Sequence, residues 1–280
     1  MATFEQIFKK RNPNHAFLLR RMQKALGKSE ITFDDINTTN LRTVREYMEG
    51  EVTPNSLKVY MAIILATVNN MADDGLVRHI NTKAVGRIKT DKVENVALTE
   101  EEVNLFVDYY KRNYSNDRRP TERDCLTLFL IEIFTGARSS DVERFSIDNI
   151  SDGVLSYVSK KTHTLTRVPA HSMLPLLFSR IPKKEYSFTT KSRSIQRVAK
   201  ELGITQMEER MFHGELKARP RYEYIATHTA RRTFVSLLLD KGVPLASVSK
   251  LAGHNGTNMT MRYYCSDKIN LNEEAMAFFK

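Results

Sequence analysis

Apolar residues recur at helical spacing through most of this chain, and the breaks between runs fall at glycine, proline and capping residues. Asn14 is placed to cap HAFLLRRMQKAL, with Gly27 as a left-handed stop. A second helix is expected from Asn40 to Met48. The third is the clearest: Thr53 as N-cap, Pro54 at the first helical position, then an amphipathic run to Asp74 closed by Gly75. Val59, Ile63, Ala66 and Met71 fall on or near one face of it, with Leu57, Ile64 and Val68 widening the stripe. Residues 85–98 are polar, hold no sustained period, and read as a linker.

Beyond the linker, Thr99 with Glu102 three residues on forms a capping box for LTEEEVNLFVDYYKRN. A helix from Glu122 to Phe134 is almost wholly apolar along LTLFLIEIF, as a buried central helix should be. Gly136 breaks it, Arg138 follows, and Ser139 or Ser140 can cap a short helix carrying Asp141, Val142 and Phe145. GVLSYVS and LTRVPA, flanking KKTHT, carry the signature of a hairpin. Strand alternation would send Lys160 and Lys161 to opposite faces of it. From Ser192 onward the pattern is helical again. The fold class is therefore mainly α: a helical domain over 1–84, a linker over 85–98, and a larger α-rich domain over 99–280 with a small antiparallel β-sheet.

Charge narrows the class of partner. Formal net charge is +10, which suits a polyanion, nucleic acid first and membrane surface second. Residues 1–96 hold 15 Lys and Arg against 11 Asp and Glu, so the excess is not confined to a tail. Only Cys125 and Cys265 are present, which excludes a disulfide framework and a Cys-rich zinc site and fits a reducing cytoplasm. No apolar run of about 18 residues marks a membrane span.

The chemistry-bearing residues gather near the carboxyl end. His228 and Arg231, three apart, share one face of the first turn of THTARRTFVSLLLDKG, for which Thr227 is the expected cap. A helix N-terminus also favours anions through its free N–H groups. Pro244 starts a further helix, Gly253 ends it, and His254 lies just past the end, followed by Tyr263 and Tyr264. With Arg138 and the lysine pair Lys160–Lys161 upstream, the set offers guanidiniums, an ammonium, imidazoles and a phenol. Such groups can neutralise and attack a phosphodiester without metal. The helical array at 230–252 also admits a helix-turn-helix, hence a repressor-like reading.

TGAR at 135–138, HTARRTF at 228–234, LAGH at 251–254 and MRYY at 261–264, in this order, resemble the tyrosine recombinase (phage integrase) family. The resemblance covers the second domain. The first looks like the family's core-binding domain, most of all along TPNSLKVYMAIILATVNNMADDGLV. It implies that Arg138 and Arg231 bind the scissile phosphate, that His254 hydrogen-bonds it and that His228 assists proton transfer. Asp141 would orient the site from behind. The family often has Lys-Thr eight residues before a proline, which selects Lys161 over Lys160 as general acid. Its nucleophile lies nine residues after the second histidine, which selects Tyr263 and leaves Tyr264 as the alternative. The implied activity is site-specific cleavage and rejoining of double-stranded DNA through a 3′-phosphotyrosine, with no ATP, metal or other cofactor. The implied assembly is a homotetramer on two sites, with the C-terminal helix around NLNEEAMAFFK docking in trans. The rivals are a catalytically silent DNA-binding regulator of the same fold and a type IB topoisomerase-like enzyme. A cytoplasmic, bacterial or phage-encoded protein is expected.

Overall fold

The computed structural model describes residues 2–90, 96–114, 119–212, 215–254 and 256–264. Two compact units divide the chain: Met1–Val93 with Met211–Leu216, and Glu94–Arg210 with Lys217–Lys280. Among the described residues no helix is long and apolar enough to cross a membrane.

The first unit is built on α1 (Phe4–Arg11), α2 (Phe17–Leu26), α3 (Thr38–Glu49) and α4 (Pro54–Asp73). Thr3 and Gln6 form a capping box that starts α1. The helix α2 begins later than Asn14 would place it, because Pro13–His15 make a tight 3-10 turn first, while Gly27 ends it at φ 63° as expected. Thr53 caps α4, its hydroxyl accepting from Ser56 N–H, with Pro54 in the first turn.

The buried stripe of α4 differs from the expected one. Leu57, Met61, Ile64, Val68 and Met71 face the core with Phe4, Phe8, Leu18 and Met22, whereas Val59 is 54% exposed and Ala66 is also exposed. Both sets repeat at helical spacing in a run with few polar residues, so period alone did not separate them. The facing helices did: Leu41, Val44 and Met48 of α3 complete the cavity that the Leu57 stripe fills.

The second unit surrounds α6 (Pro120–Thr135), which follows α5 (Glu100–Asn113). Residues 125–133 of α6 are all buried, as its lack of a polar face requires. Phe106 of α5 meets Phe129 with ring centroids 5.5 Å apart. The capping box of Thr99 and Glu102 is formed. Beyond it come α7 (Ser139–Val142), β1 (Ile150–Ser151), β2 (Val154–Val158), β3 (Leu165–Pro169), α8 (Leu174–Phe178) and α9 (Phe188–Glu201). β1, β2 and β3 form an antiparallel sheet, with Leu155 opposite Val168 and Val158 opposite Leu165. Leu155, Tyr157, Thr166 and Val168 point into the core, the period-2 alternation of a half-buried sheet.

The chain after Ser192 is not all helix. β4 (Met207–Phe212) and β5 (Glu215–Pro220) pair in a second, two-stranded sheet before α10 (Arg221–Tyr224), α11 (Thr227–Asp240), α12 (Leu245–Leu251) and α13 (Thr257–Tyr263). Their sequence, rich in Glu, Lys and Arg, has low strand propensity, and Met207 and Leu216 are exposed, so no hydrophobic alternation announced them. The buried Arg221 anchors this region. Its guanidinium donates to both Glu102 oxygens (2.6 and 2.9 Å), to Glu208 Oε1 (2.6 Å) and to the Ala97 carbonyl (2.8 Å). One buried cation thus joins the entry to α5, strand β4 and the approach to α11, and removing it would leave two acids without their shared partner.

Candidate active site

Arg138 leaves α6 through Gly136, whose φ of 62° is left-handed. A Cβ there would lie 2.3 Å from Phe234 Cδ1, so the close approach of α11 as well as the backbone requires glycine. Arg138 itself, rather than Ser139 or Ser140, is the N-cap residue of α7. Its carbonyl accepts from Asp141 N–H (2.8 Å) and Val142 N–H (3.1 Å). This closes a one-turn helix whose capping position carries the guanidinium.

Asp141, buried in that turn, holds the hairpin. It accepts from Ser159 Oγ (3.1 Å), from Lys160 N–H (2.8 Å) and from Arg144 Nη2 (2.8 Å). Ser159 Oγ in turn accepts from Arg138 Nη1 at 3.0 Å. The β2–β3 ladder ends at Val158–Leu165, so Lys160 and Lys161 sit in the turn and not on strand faces. The expectation that alternation separates them therefore fails. The turn is closed by His163 at φ 52° and by Ser159 N–H to the Thr164 carbonyl (3.0 Å). Both lysine residues are exposed, and it is Lys161 whose charge is felt by His228.

Arg231 is 1% exposed on α11. Its Nη1 donates to the Gly136 carbonyl and its Nη2 to the Ala252 carbonyl (2.6 Å). Thr227 is the first residue of α11 and not its cap; Ala226 takes that position, and its N–H donates to Thr229 Oγ1 at 3.0 Å. Burial pushes the Arg231 pKa down, and the nearby Arg138 charge pushes it further the same way. Among the described residues no carboxylate pairs with Arg138 or Arg231. Two guanidiniums close enough to feel each other's charge are thus held by neutral oxygens, an arrangement costly for cations and favourable for a nearby anion.

His254 follows α12 and the left-handed Gly253, where a Cβ would lie 2.6 Å from Thr166 Oγ1. That contact presses the α12 end onto β3. The Nδ1 of His254 shares a hydrogen bond with Thr260 Oγ1 (2.9 Å), and its Nε2 is buried with no partner, as is Arg231 Nε. Burial lowers the His254 pKa to about 4, with Arg231 and Arg138 adding to the effect. The ring is therefore neutral at pH 7. His228 is an exposed residue, yet partial burial of its ring lowers its pKa, and Arg232, Arg231, Lys161 and Arg138 reinforce this.

The two tyrosines part company. Tyr263 ends α13 with its ring centroid 4.9 Å from that of His254 and 5.5 Å from Arg231 Cζ. Tyr264 lies past the helix, and its hydroxyl donates to Asp240 Oδ1 at 2.9 Å. Six of the expected residues, Arg138, Lys161, His228, Arg231, His254 and Tyr263, are linked by contact or by charge into one cluster, with Asp141 behind it; Tyr264 is turned to Asp240. Sequence reasoning missed Ser159 and Thr260, which hold Arg138 and His254. A lone Ser or Thr at an element end carries no signal of such a role.

The sequence pattern of the phage integrase family matches residues 63–269, most of the chain and all of this cluster. The chain belongs to the phage integrase family. As a tyrosine recombinase of this family it is a site-specific recombinase, an enzyme and not merely a fold relative. It is similar to tyrosine recombinase XerC of Rickettsia bellii (strain RML369-C), 23% identical over 245 residues, covering 83% of this chain and 77% of that protein. The integrase of Escherichia phage 186 is 24% identical over 231 residues, and the match spans 79% of this chain and 61% of that one. In fold it resembles the XerH site-specific recombinase bound to palindromic difH substrate, with a TM-score of 0.67, 18% identity, and coverage of 96% of this chain and 80% of that one. A lambda integrase dimer bound to a COC′ core site gives a TM-score of 0.62 at 19% identity, covering 95% and 94%.

Proposed function

We propose that this recombinase cleaves and rejoins double-stranded DNA at specific sites, with Tyr263 as nucleophile and no metal in the chemical step. The observation that carries the reading is the pair of guanidiniums without a carboxylate partner among the described residues, beside two buried N atoms, Arg231 Nε and His254 Nε2, that have no hydrogen-bond partner. A phosphodiester supplies what these groups lack. Arg138 and Arg231 take its nonbridging oxygens, and with Nδ1 of His254 accepting from Thr260, Nε2–H donates to a third contact.

The Tyr263 phenolic oxygen attacks phosphorus, and its proton passes to solvent or to the neutral His228 imidazole. The bond from phosphorus to the 5′ oxygen breaks, and Lys161 gives that oxygen a proton. The product is a 3′-phosphotyrosine and a free 5′ hydroxyl. A 5′ hydroxyl of a second strand reverses the step, so bond energy is kept and no nucleotide triphosphate is consumed. Loss of either Arg138 or Arg231 should lower the rate on the order of 100- to 1000-fold.

Domain roles follow the same reading. The helical part over 1–84 and the catalytic part over 99–280 both bind DNA, with 85–98 as linker. Strand exchange between two sites calls for four protomers. A lambda integrase tetramer bound to a Holliday junction, TM-score 0.61, supports that stoichiometry. The tail around NLNEEAMAFFK, proposed to dock on a neighbouring protomer, lies outside the described residues. Phosphate contacts should make binding fall steeply with salt.

The test uses a pool of duplexes randomised around a nick placed to let the cleaved end diffuse away. Wild-type protein should trap a covalent adduct whose DNA can be sequenced. Tyr263→Phe should trap none and Tyr264→Phe should trap as wild type. Adduct formation by Tyr263→Phe would overturn the nucleophile assignment, and its absence from wild type across the whole pool would favour a regulator. Relaxation without exchange between two labelled duplexes would favour a topoisomerase.

A further inference from the structure

The short helix α7 has a second anchor that the proposed chemistry does not use. Lys191, on α9, is 8% exposed at its side chain. Its ammonium donates to Ser139 Oγ at 2.9 Å and pairs with the Glu143 carboxylate. Ser139 is the first residue of α7 and Glu143 its C-cap, so one cation grips both ends of a single helical turn. Glu132 of α6 is buried nearby, where the Ser139 hydroxyl and the Lys191 charge favour its ionised form but burial opposes it more strongly. Burial pushes the Glu132 pKa up to about 8, so this acid is mostly protonated at neutral pH.

What α7 carries gives the grip its consequence. Its N-cap is Arg138, and its third residue is Asp141, which fixes Ser159 and the backbone of Lys160 in the hairpin turn. A tilt of this one turn moves the Arg138 guanidinium and the adjacent Lys161 together, while Arg231, held by the Gly136 and Ala252 carbonyls, stays behind. Four residues cannot hold such an orientation by helix propensity alone.

We propose that Lys191 is a positioning residue, which clamps α7 at Ser139 and Glu143 and so sets Arg138 and the hairpin lysine in register with Arg231. The role rests on the phosphodiester reading of the site, and it predicts a rate effect with little effect on affinity, since Lys191 faces Ser139 and Glu143 and not the cluster.

The experiment compares wild type, Lys191→Met, Lys191→Arg and Glu143→Gln, each as the full chain. The first readout is single-turnover adduct formation at saturating nicked duplex, using the sequence recovered by covalent capture, together with the affinity for that duplex. The second is amide hydrogen exchange at Asp141 and Val142. Lys191→Met should lower the saturated rate roughly 10- to 100-fold, the scale of a misplacement of about 1 Å. Its affinity should stay within about threefold, and exchange at both amides should rise. Lys191→Arg, which keeps the charge and the donors, should restore most of the rate, and Glu143→Gln should fall between. An unchanged rate in Lys191→Met, or a loss confined to affinity, overturns the proposal. Should Lys191→Met fail to fold, Glu143→Gln decides it by the same criteria. If no variant and no wild type forms an adduct, the functional reading fails, and the exchange data alone decide whether the clamp exists.

Discussion

Replacing Asp141 by Asn tests how the acid behind the cluster works, because the change keeps size and removes only charge. The carboxylate accepts three hydrogen bonds, from Ser159 Oγ, Lys160 N–H and Arg144 Nη2, in a residue that is 1% exposed. Bonds to a charged acceptor contribute about 1 kcal/mol more than neutral ones, so the gross loss is about 3 kcal/mol. The amide is less costly to bury than the carboxylate, and Arg144, half-exposed, regains water. A net destabilisation of about 1–2 kcal/mol follows, or a fall in Tm of roughly 2–8 °C for a domain of this size. The kinetic effect has a separate origin. An amide nitrogen in place of Oδ2 donates to Ser159 instead of accepting, and the hydroxyl that receives Arg138 Nη1 must turn. Single-turnover adduct formation should slow by about tenfold or more. Ser159→Ala, which deletes the bridge and spares the bonds to Lys160 and Arg144, should slow the reaction with a smaller fall in Tm. Scanning fluorimetry and the nicked-duplex assay measure the two effects. If Asp141→Asn stays within 2 °C and twofold of wild type, the claim that this acid fixes Arg138 through Ser159 is refuted.

Three further outcomes are expected. Gly136→Ala combines a left-handed backbone with a Cβ placed 2.3 Å from Phe234, and should destabilise by about 2–4 kcal/mol in urea unfolding while displacing the carbonyl that holds Arg231. The His254 pKa is about 4 in the fold against 6.5 for the free side chain, so between these values the unfolded chain binds the extra proton; stability should fall as pH drops through that window, by about 2 kcal/mol at pH 5, and His254→Gln should flatten the dependence. Glu132 has the opposite sign, since its folded carboxyl keeps a proton up to about pH 8 that the unfolded chain releases near 4.5. Stability should fall as pH rises from 4.5 to 8, and Glu132→Gln should remove that slope, seen as a larger gain in Tm at pH 8.5 than at pH 5.

The sequence by itself determined the elements whose signals are local. Capping by Thr53 and Thr99, left-handed stops at Gly27 and Gly136, the apolar run of α6 and the alternation in β2 and β3 each depend on residues within a few positions of one another. The side chains of the candidate site were legible too, because Arg, His and Tyr in a fixed order carry chemistry that few other arrangements need. Tertiary structure decided the rest. Which stripe of α4 is buried depended on α3, the two-stranded sheet of β4 and β5 had no hydrophobic pattern to betray it, and the lysine pair fell in a turn because the ladder stopped at Val158. Where α13 ends also separates the neighbouring tyrosines, turning Tyr264 to Asp240 and leaving the Tyr263 ring tilted beside His254. Local patterns fix what a segment can form, but only the segments packed against it fix which of its faces is used, and Ser159, Thr260 and Lys191 matter solely through residues far from them in sequence.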